Sequence, residues 1–208
     1  MLAWRVSAVV FLASLALLGS VPAALAVETT LTFDELAVNT TIGSQYAGRG
    51  VTFGPSVAGQ AQVTRSLPVV ATVGTAAAAS GGNVGRVQRA CFSADCVGTA
   101  ETWAQFSSAQ AQVKLSVGAF GTQANTITMT GFNASGAQVA QAQASAPAGT
   151  FRTQLSLSVA SATIRFIRVR GSTLGTFGID SLLIDTAPTT GPDYSISVPF
   201  GPHEVQQG

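Results

Sequence analysis

Charged residues are scarce in this sequence. Asp, Glu, Lys and Arg make up 9% of its 208 residues, against about 25% in typical soluble domains. Lys114 is the single lysine, and Ser, Thr, Gln, Asn and Gly supply much of the polarity, which is typical of an all-β secreted protein. A chain with so little charge and a formal net charge of +1 has no electrostatic basis for binding nucleic acid or an anionic membrane.

Histidine is almost absent, and this restricts the catalytic chemistry. The one histidine, His203, lies near the end of the chain, so a Ser-His-Asp triad within the domain is excluded. The sequence also lacks a G-x-S-x-G nucleophile motif, an H-E-x-x-H zinc motif and a phosphate-binding glycine loop. We therefore predict no catalytic residues and a protein that is not an enzyme. A pair of carboxylates across a cleft, as in glycosidases, is the weakest alternative.

Cysteine occurs only twice, at Cys91 and Cys96. In an exported protein so close a pair predicts a disulfide that closes a short loop. A zinc site would need two further ligands, and a redox pair normally has the spacing C-x-x-C. The structural interpretation is therefore preferred.

Long apolar runs are confined to the first 26 residues. Arg5 precedes an apolar segment at residues 6–18, and Ala24-Leu25-Ala26 matches an A-x-A cleavage site. This pattern predicts a secretory signal peptide over residues 1–26. An uncleaved membrane anchor is the alternative, but the segment is shorter than the ~20 residues that a span needs. We expect the mature chain to be secreted, either extracellular or on the cell surface.

The rest of the chain has the pattern of β-strands. Short alternating runs are separated by Gly, Ser, Asn and Pro clusters, which is typical of a sandwich or barrel. Val113, Leu115 and Val117 alternate with polar residues, so one face of that strand is buried. The alanine-rich segment 75–80 is bracketed by glycines and predicts a loop. Strands are predicted at residues 30–34, 50–53, 60–65, 69–73, 83–88, 99–106, 112–119, 125–132, 137–142, 150–159, 163–170 and 177–185.

Two segments resemble a known family. Residues 31–53, LTFDELAVNTTIGSQYAGRGVTF, and residues 177–185, FGIDSLLID, resemble the opening and closing strands of a β-sandwich domain common in secreted bacterial exoproteins. That domain is similar to the galactose-binding-like jelly rolls. The resemblance implies an all-β jelly-roll sandwich of two antiparallel sheets over residues 27–186, and many such domains bind carbohydrate. Within the first segment we expect Tyr46 and Arg49 to serve packing and the turn.

The resemblance also implies a candidate calcium site. Asp34 and Glu35 belong to the opening strand and Asp180 to the closing strand, and these strands are neighbours in many jelly rolls. Calcium takes about six to eight oxygen ligands, which these carboxylates and the carbonyl groups of residues 39–43 would supply. The alternative is that Asp34 and Asp180 cap turns or pair with arginine.

Trp103, the only tryptophan after the signal peptide, is the candidate sugar platform. Strand alternation places it on one face with Glu101 and Gln105, and places Phe106 on the other face. If Phe106 points into the core, the indole points outward beside two hydrogen-bonding side chains, as a carbohydrate site requires. The alternatives are a register break that buries Trp103 and an isolated surface aromatic residue.

Arginine is concentrated at Arg165, Arg168 and Arg170. Arg168 and Arg170 share one face and are candidate ligand contacts, whereas Arg165 falls on the other face. The default interpretation is that these side chains pair with acidic residues on a neighbouring strand. An acidic-glycan site is the alternative.

The C-terminal residues 187–208 predict a linker and an incomplete second module. TAPTTGP, at residues 186–192, is a Pro/Thr/Gly linker. Residues 193–208 resemble the first strand of immunoglobulin-like modules that follow such linkers in bacterial surface proteins. A disordered tail is the alternative.

These features predict a non-catalytic extracellular module at the N-terminus of a larger exported protein, with carbohydrate as the expected ligand. We expect it to be monomeric, with no cofactor other than structural calcium. The alternative function is a structural or adhesive surface domain that contacts protein partners.

Overall fold

A computed structural model describes residues 28–54, 66–88, 100–172 and 175–186. The predicted signal peptide, disulfide, linker and second module lie outside these residues, as does the strand predicted at 60–65. The described part contains strands and one 3-10 turn, Ala47–Arg49, and no helix in it is long and apolar enough to cross a membrane.

The strands follow the alternating segments of the sequence. The bounds predicted for residues 112–119, 125–132 and 177–185 agree with the structure, and segment 75–80 is a loop, as expected. The strands are β1 Glu28–Leu31, β2 Val51–Phe53, β3 Val69–Thr72, β4 Asn83–Val87, β5 Glu101–Gln110, β6 Gln112–Ala119, β7 Asn125–Phe132, β8 Gln138–Ala146, β9 Thr153–Ser158, β10 Ile164–Gly171 and β11 Phe177–Asp185.

Two antiparallel sheets form the predicted jelly-roll β-sandwich. Sheet A has the order β3-β4-β11-β6-β9, and β1 also pairs with β11. Sheet B has the order β2-β5-β10-β7-β8. In sheet A one edge of β11 is shared: β4 pairs with residues 177–179, and β1 pairs with residues 182–185. Asp180 and Ser181 lie between these two segments of β11, and the pairing of β11 with β6 shifts register between Asp180 and Leu183.

The core lies between the sheets and is filled by alternate residues of the strands. Val113, Leu115 and Val117 of β6 are buried in it, together with Ile127 and Met129 of β7. This confirms the predicted alternation of these strands, in which apolar side chains face inward and the residues between them face away from the core.

The segment before β2 packs as the sequence suggested. The Tyr46 hydroxyl donates to the carbonyl oxygen of Thr32 at 2.6 Å, and its ring meets Phe33 edge to face with centroids 5.8 Å apart. The Arg49 guanidinium lies 5.7 Å from the Tyr46 ring centroid and forms an ion pair with Glu35 at 2.8 Å. Tyr46 and Arg49 therefore serve packing and the turn.

Candidate functional site

The five predicted ligand-binding residues lie on one face of sheet B. In the pairing of β5 with β10, Trp103 is opposite Arg168, and Glu101 is opposite Arg170. Gln105 lies two residues from Trp103 on the same strand and faces the same way. Directly paired residues in a sheet point to the same side. The pairing therefore brings together residues that the sequence separates by more than sixty positions.

The orientation predicted for Trp103 is correct, but its predicted exposure is wrong. The indole belongs to a cluster with Phe132 that is separate from the main core, so it faces away from that core. It is nevertheless only 2% exposed. The ring stacks on Phe132 with centroids 5.2 Å apart, and Phe166 packs against this cluster. The indole is buried because aromatic residues of β7 and β10 lie beside it on this face, so it does not form a bare platform.

The polar end of Trp103 is also satisfied within the protein. Its Nε1–H donates to Oε1 of Glu101 at 2.7 Å, and Glu101 is itself 7% exposed. A buried carboxylate that accepts this hydrogen bond fixes the indole in one orientation. Glu101 therefore positions the ring.

The three arginines of β10 have different environments. Arg165 donates to the Ser107 carbonyl oxygen, and Arg170 is an exposed residue opposite Glu101. The half-buried Arg168 lies with its guanidinium carbon 5.6 Å from the Trp103 ring centroid and 5.5 Å from that of Phe132. Within the described residues, neither Arg165 nor Arg168 forms the predicted pair with an acidic neighbour.

A pocket of about 430 Å³ opens beside Trp103 at the β2 edge of sheet B. Its walls come from four separate segments, which is why sequence analysis missed it; no local pattern marks them. Gly54 helps to shape the pocket, because its φ of +104° favours glycine and a Cβ there would lie 2.9 Å from Leu67. The lining residues are Gly43, Ser44, Thr52, Phe53, Gly54, Ser66, Leu67 and Trp103.

Of the predicted metal ligands, Asp180 is fully buried and holds the loop between β3 and β4. Its Oδ2 accepts the backbone N–H groups of Ala79 and Ser80 at 2.8 and 2.9 Å. Its Oδ1 accepts the Ser80 hydroxyl and the Ser181 N–H, both at 2.7 Å. Asp180 therefore anchors backbone donors, which is the alternative that the sequence left open.

Asp34 holds the other end of the same loop. Its Oδ1 accepts the N–H groups of Gly82 and Asn83 at 2.7 and 2.9 Å, and its carboxylate occupies the space that a side chain at Gly81 would need. Glu35 turns away to Arg49.

These contacts do not suit a calcium ion. Calcium needs about six to eight oxygen ligands, whereas the oxygens of Asp34 and Asp180 face N–H and O–H donors. In the described ranges no group of three His, Cys, Asp or Glu side chains is placed to hold a metal. Calcium binding by Asp34, Glu35 and Asp180 stays a prediction of the sequence.

Comparisons with known proteins find distant similarity to solved structures. No protein-family model matches the sequence, and a search of curated proteins finds no match. Among solved structures, the chain is similar to an arabinose-bound MgGH51 α-L-arabinofuranosidase (14% identity, TM-score 0.44, 74% of this chain and 25% of that one). It is also similar to the CBM22-1–GH10 modules of Clostridium thermocellum xylanase 10B in complex with xylohexaose. There the identity is 15% and the TM-score 0.39, over 59% of this chain and 25% of that one.

A third similar structure is the family 11 carbohydrate-binding module of Clostridium thermocellum in complex with a mixed-linked tetrasaccharide. The identity is 12% and the TM-score 0.38, over 80% of this chain and 99% of that one. The chain thus spans a quarter of the length of the two enzyme chains and nearly all of this module. TM-scores below 0.5 at such identities do not establish a family.

Proposed function

We propose that the chain is a non-catalytic module that binds carbohydrate in the pocket beside Trp103 and on the adjoining outer face of sheet B. The observation that carries this proposal is the mixed lining of the pocket. Sugar rings present apolar C–H faces and hydroxyl groups, so a binding site needs apolar walls and hydrogen-bonding groups together. Both kinds are present: Phe53, Leu67, Trp103, Ser44, Thr52 and Ser66.

The size and rigidity of the pocket support the same function. Its volume of about 430 Å³ falls within the range of roughly 300 to 1,000 Å³ typical of small-ligand sites. Trp103 is held by Phe132 and Glu101, so its pocket wall is preformed. Gln105 lies opposite the lining residue Thr52 in the pairing of β2 with β5, so its amide group is on the same face of sheet B. A preformed site loses little conformational entropy on binding.

The cellular setting is part of the proposal. The signal-peptide pattern at residues 1–26 and the linker-like residues 187–192 support an exported module within a longer extracellular or surface protein.

The test is a glycan-array screen of the purified chain with variants of the pocket. Ser44→Trp should block the mouth, because Ser44 is an exposed lining residue, and Leu67→Ala should remove an apolar wall. Val38→Ala is the matched control, because Val38 and Leu67 are exposed apolar residues (48% and 38%) and Val38 does not line the pocket. We expect glycan binding that both pocket variants weaken and the control retains.

Two results would contradict the proposal. Binding that is unchanged in Ser44→Trp and Leu67→Ala would move the site elsewhere. Failure to bind any glycan on the array would overturn the carbohydrate function and favour the structural or adhesive alternative.

A further inference from the structure

We infer that the glycan bound at this site carries a negatively charged group, and that Arg168 recognises it. This inference rests on the proposed carbohydrate function and adds the chemical class of the ligand.

The first observation is that Arg168 has no oxygen partner within the described residues. Its contacts there are the cation–π contacts with Trp103 and Phe132. Other arginines use their donors within the protein: Arg49 on Glu35, Arg152 on the carbonyl groups of Thr75 and Ala78, and Arg165 on that of Ser107. A guanidinium has five N–H donors, and a cation–π contact supplies an acceptor for none of them.

The second observation is that Arg168 is preorganised. The side chain is half-buried, and the aromatic pair beneath it restricts where the guanidinium can lie. A guanidinium held in this way can offer two parallel N–H donors to one oxyanion. Partial burial strengthens the attraction, because charges interact more strongly where less water screens them.

The third observation concerns the surroundings of Arg168. Its direct partners across the sheet, Trp103 and Thr130, are neutral. Glu101 is the acid of β5 on this face, and its carboxylate is engaged by the Trp103 indole.

Trp103 connects this arginine to the pocket. Trp103 lines the pocket, and its indole lies beneath the Arg168 guanidinium. A sugar that occupies the pocket and extends along the outer face of sheet B brings its substituents toward Arg168. The group recognised there is an oxyanion, either the carboxylate of a uronic acid or a sulfate ester.

The experiment compares charged and neutral forms of the same sugars. Trisaccharides of galacturonate, glucuronate and mannuronate are titrated into the full chain by calorimetry, each beside its methyl ester, and a sulfated trisaccharide is titrated beside its unsulfated form. We expect at least one acid to bind about tenfold or more tightly than its neutral form, as a hydrogen-bonded charge pair implies.

Three variants test whether Arg168 causes the preference for the charged sugar. Arg168→Met keeps an apolar stem over the aromatic pair and should abolish the preference. Arg168→Lys keeps the charge without the paired donors and should retain part of the preference. Lys114→Gln removes one positive charge from β6 of sheet A, on the other side of the sandwich, and should change nothing.

The outcomes separate the two proposals. A preference for the sulfated form that Arg168→Met abolishes supports the inference with sulfate as the oxyanion. Equal binding of charged and neutral forms overturns the inference and leaves the carbohydrate function standing. A preference that survives Arg168→Met overturns the role of Arg168. If no sugar binds in the calorimetric titrations or on the glycan array, both proposals are overturned.

Discussion

Asp34 and Asp180 lie near opposite ends of the domain's sequence, yet their carboxylates accept hydrogen bonds from the same loop. Asp180 accepts the N–H groups of Ala79 and Ser80, and Asp34 accepts those of Gly82 and Asn83. The loop joins β3 to β4 and gains acceptors for N–H groups that strand pairing does not satisfy. Its conformation therefore depends on two side chains that are distant in sequence.

Replacing the buried carboxylate should destabilise the fold. In Asp180→Asn an amide N–H₂ would face N–H donors in place of one acceptor oxygen, so we expect the free energy of unfolding to fall by about 2–3 kcal/mol. Asp34→Asn should cost less, because Asp34 is exposed. Urea unfolding measures both. The control is Glu28→Gln, an exposed acid on β1 that should stay within about 0.5 kcal/mol of the wild type. If Asp180→Asn and the control have the same free energy of unfolding, Asp180 does not anchor the loop.

Calcium should leave the stability unchanged. Because Asp34 and Asp180 accept backbone hydrogen bonds and Glu35 pairs with Arg49, we expect one thermal midpoint in calcium and in EDTA. A resident ion would raise the midpoint by mass action. If calcium raises the midpoint of the wild type and not that of Asp180→Asn, the calcium site predicted from the sequence is real.

Trp103 and Glu101 should be energetically coupled. Their hydrogen bond of 2.7 Å is buried, so Trp103→Phe leaves the carboxylate without this donor. A double-mutant cycle with Glu101→Gln should give a coupling of about 1–2 kcal/mol in the free energy of unfolding. A cycle of Trp103→Phe with Glu28→Gln should be additive. A coupling near zero in the first cycle would mean that Glu101 does not position the indole.

Tyr46 should make the protein less stable in alkali. Burial raises the pKa of the Tyr46 hydroxyl far above its ordinary value of 10.0, and the nearby Glu35 carboxylate adds to the rise. The folded state then keeps a proton that the unfolded chain loses, so stability is complete below about pH 10 and falls as pH rises above it. Tyr46→Phe should flatten this alkaline decline in urea unfolding series. An unchanged decline in Tyr46→Phe would contradict the assignment.

The parts predicted well from sequence are those in which one strand carries its own signal. The alternation in β6 and β7 indicates their bounds, since one side of each faces the core. The same period-two rule placed Trp103 with Glu101 and turned both away from Phe106. The exposure of Trp103 could not be predicted in this way, because it depends on a ring from another strand.

Alternation along a strand is a local property of the chain, so the sequence alone was enough to predict an all-β sandwich or barrel and the strand face that carries Trp103 and Glu101. Which strands become neighbours is settled by packing across the whole domain. Trp103 stacks on Phe132 because β10 lies between β5 and β7 and brings the two rings to one face. Asp34 and Asp180 meet at one loop because β1 and β4 share one edge of β11. The pocket depends on the same long-range pairing, because segments distant in the chain form its walls.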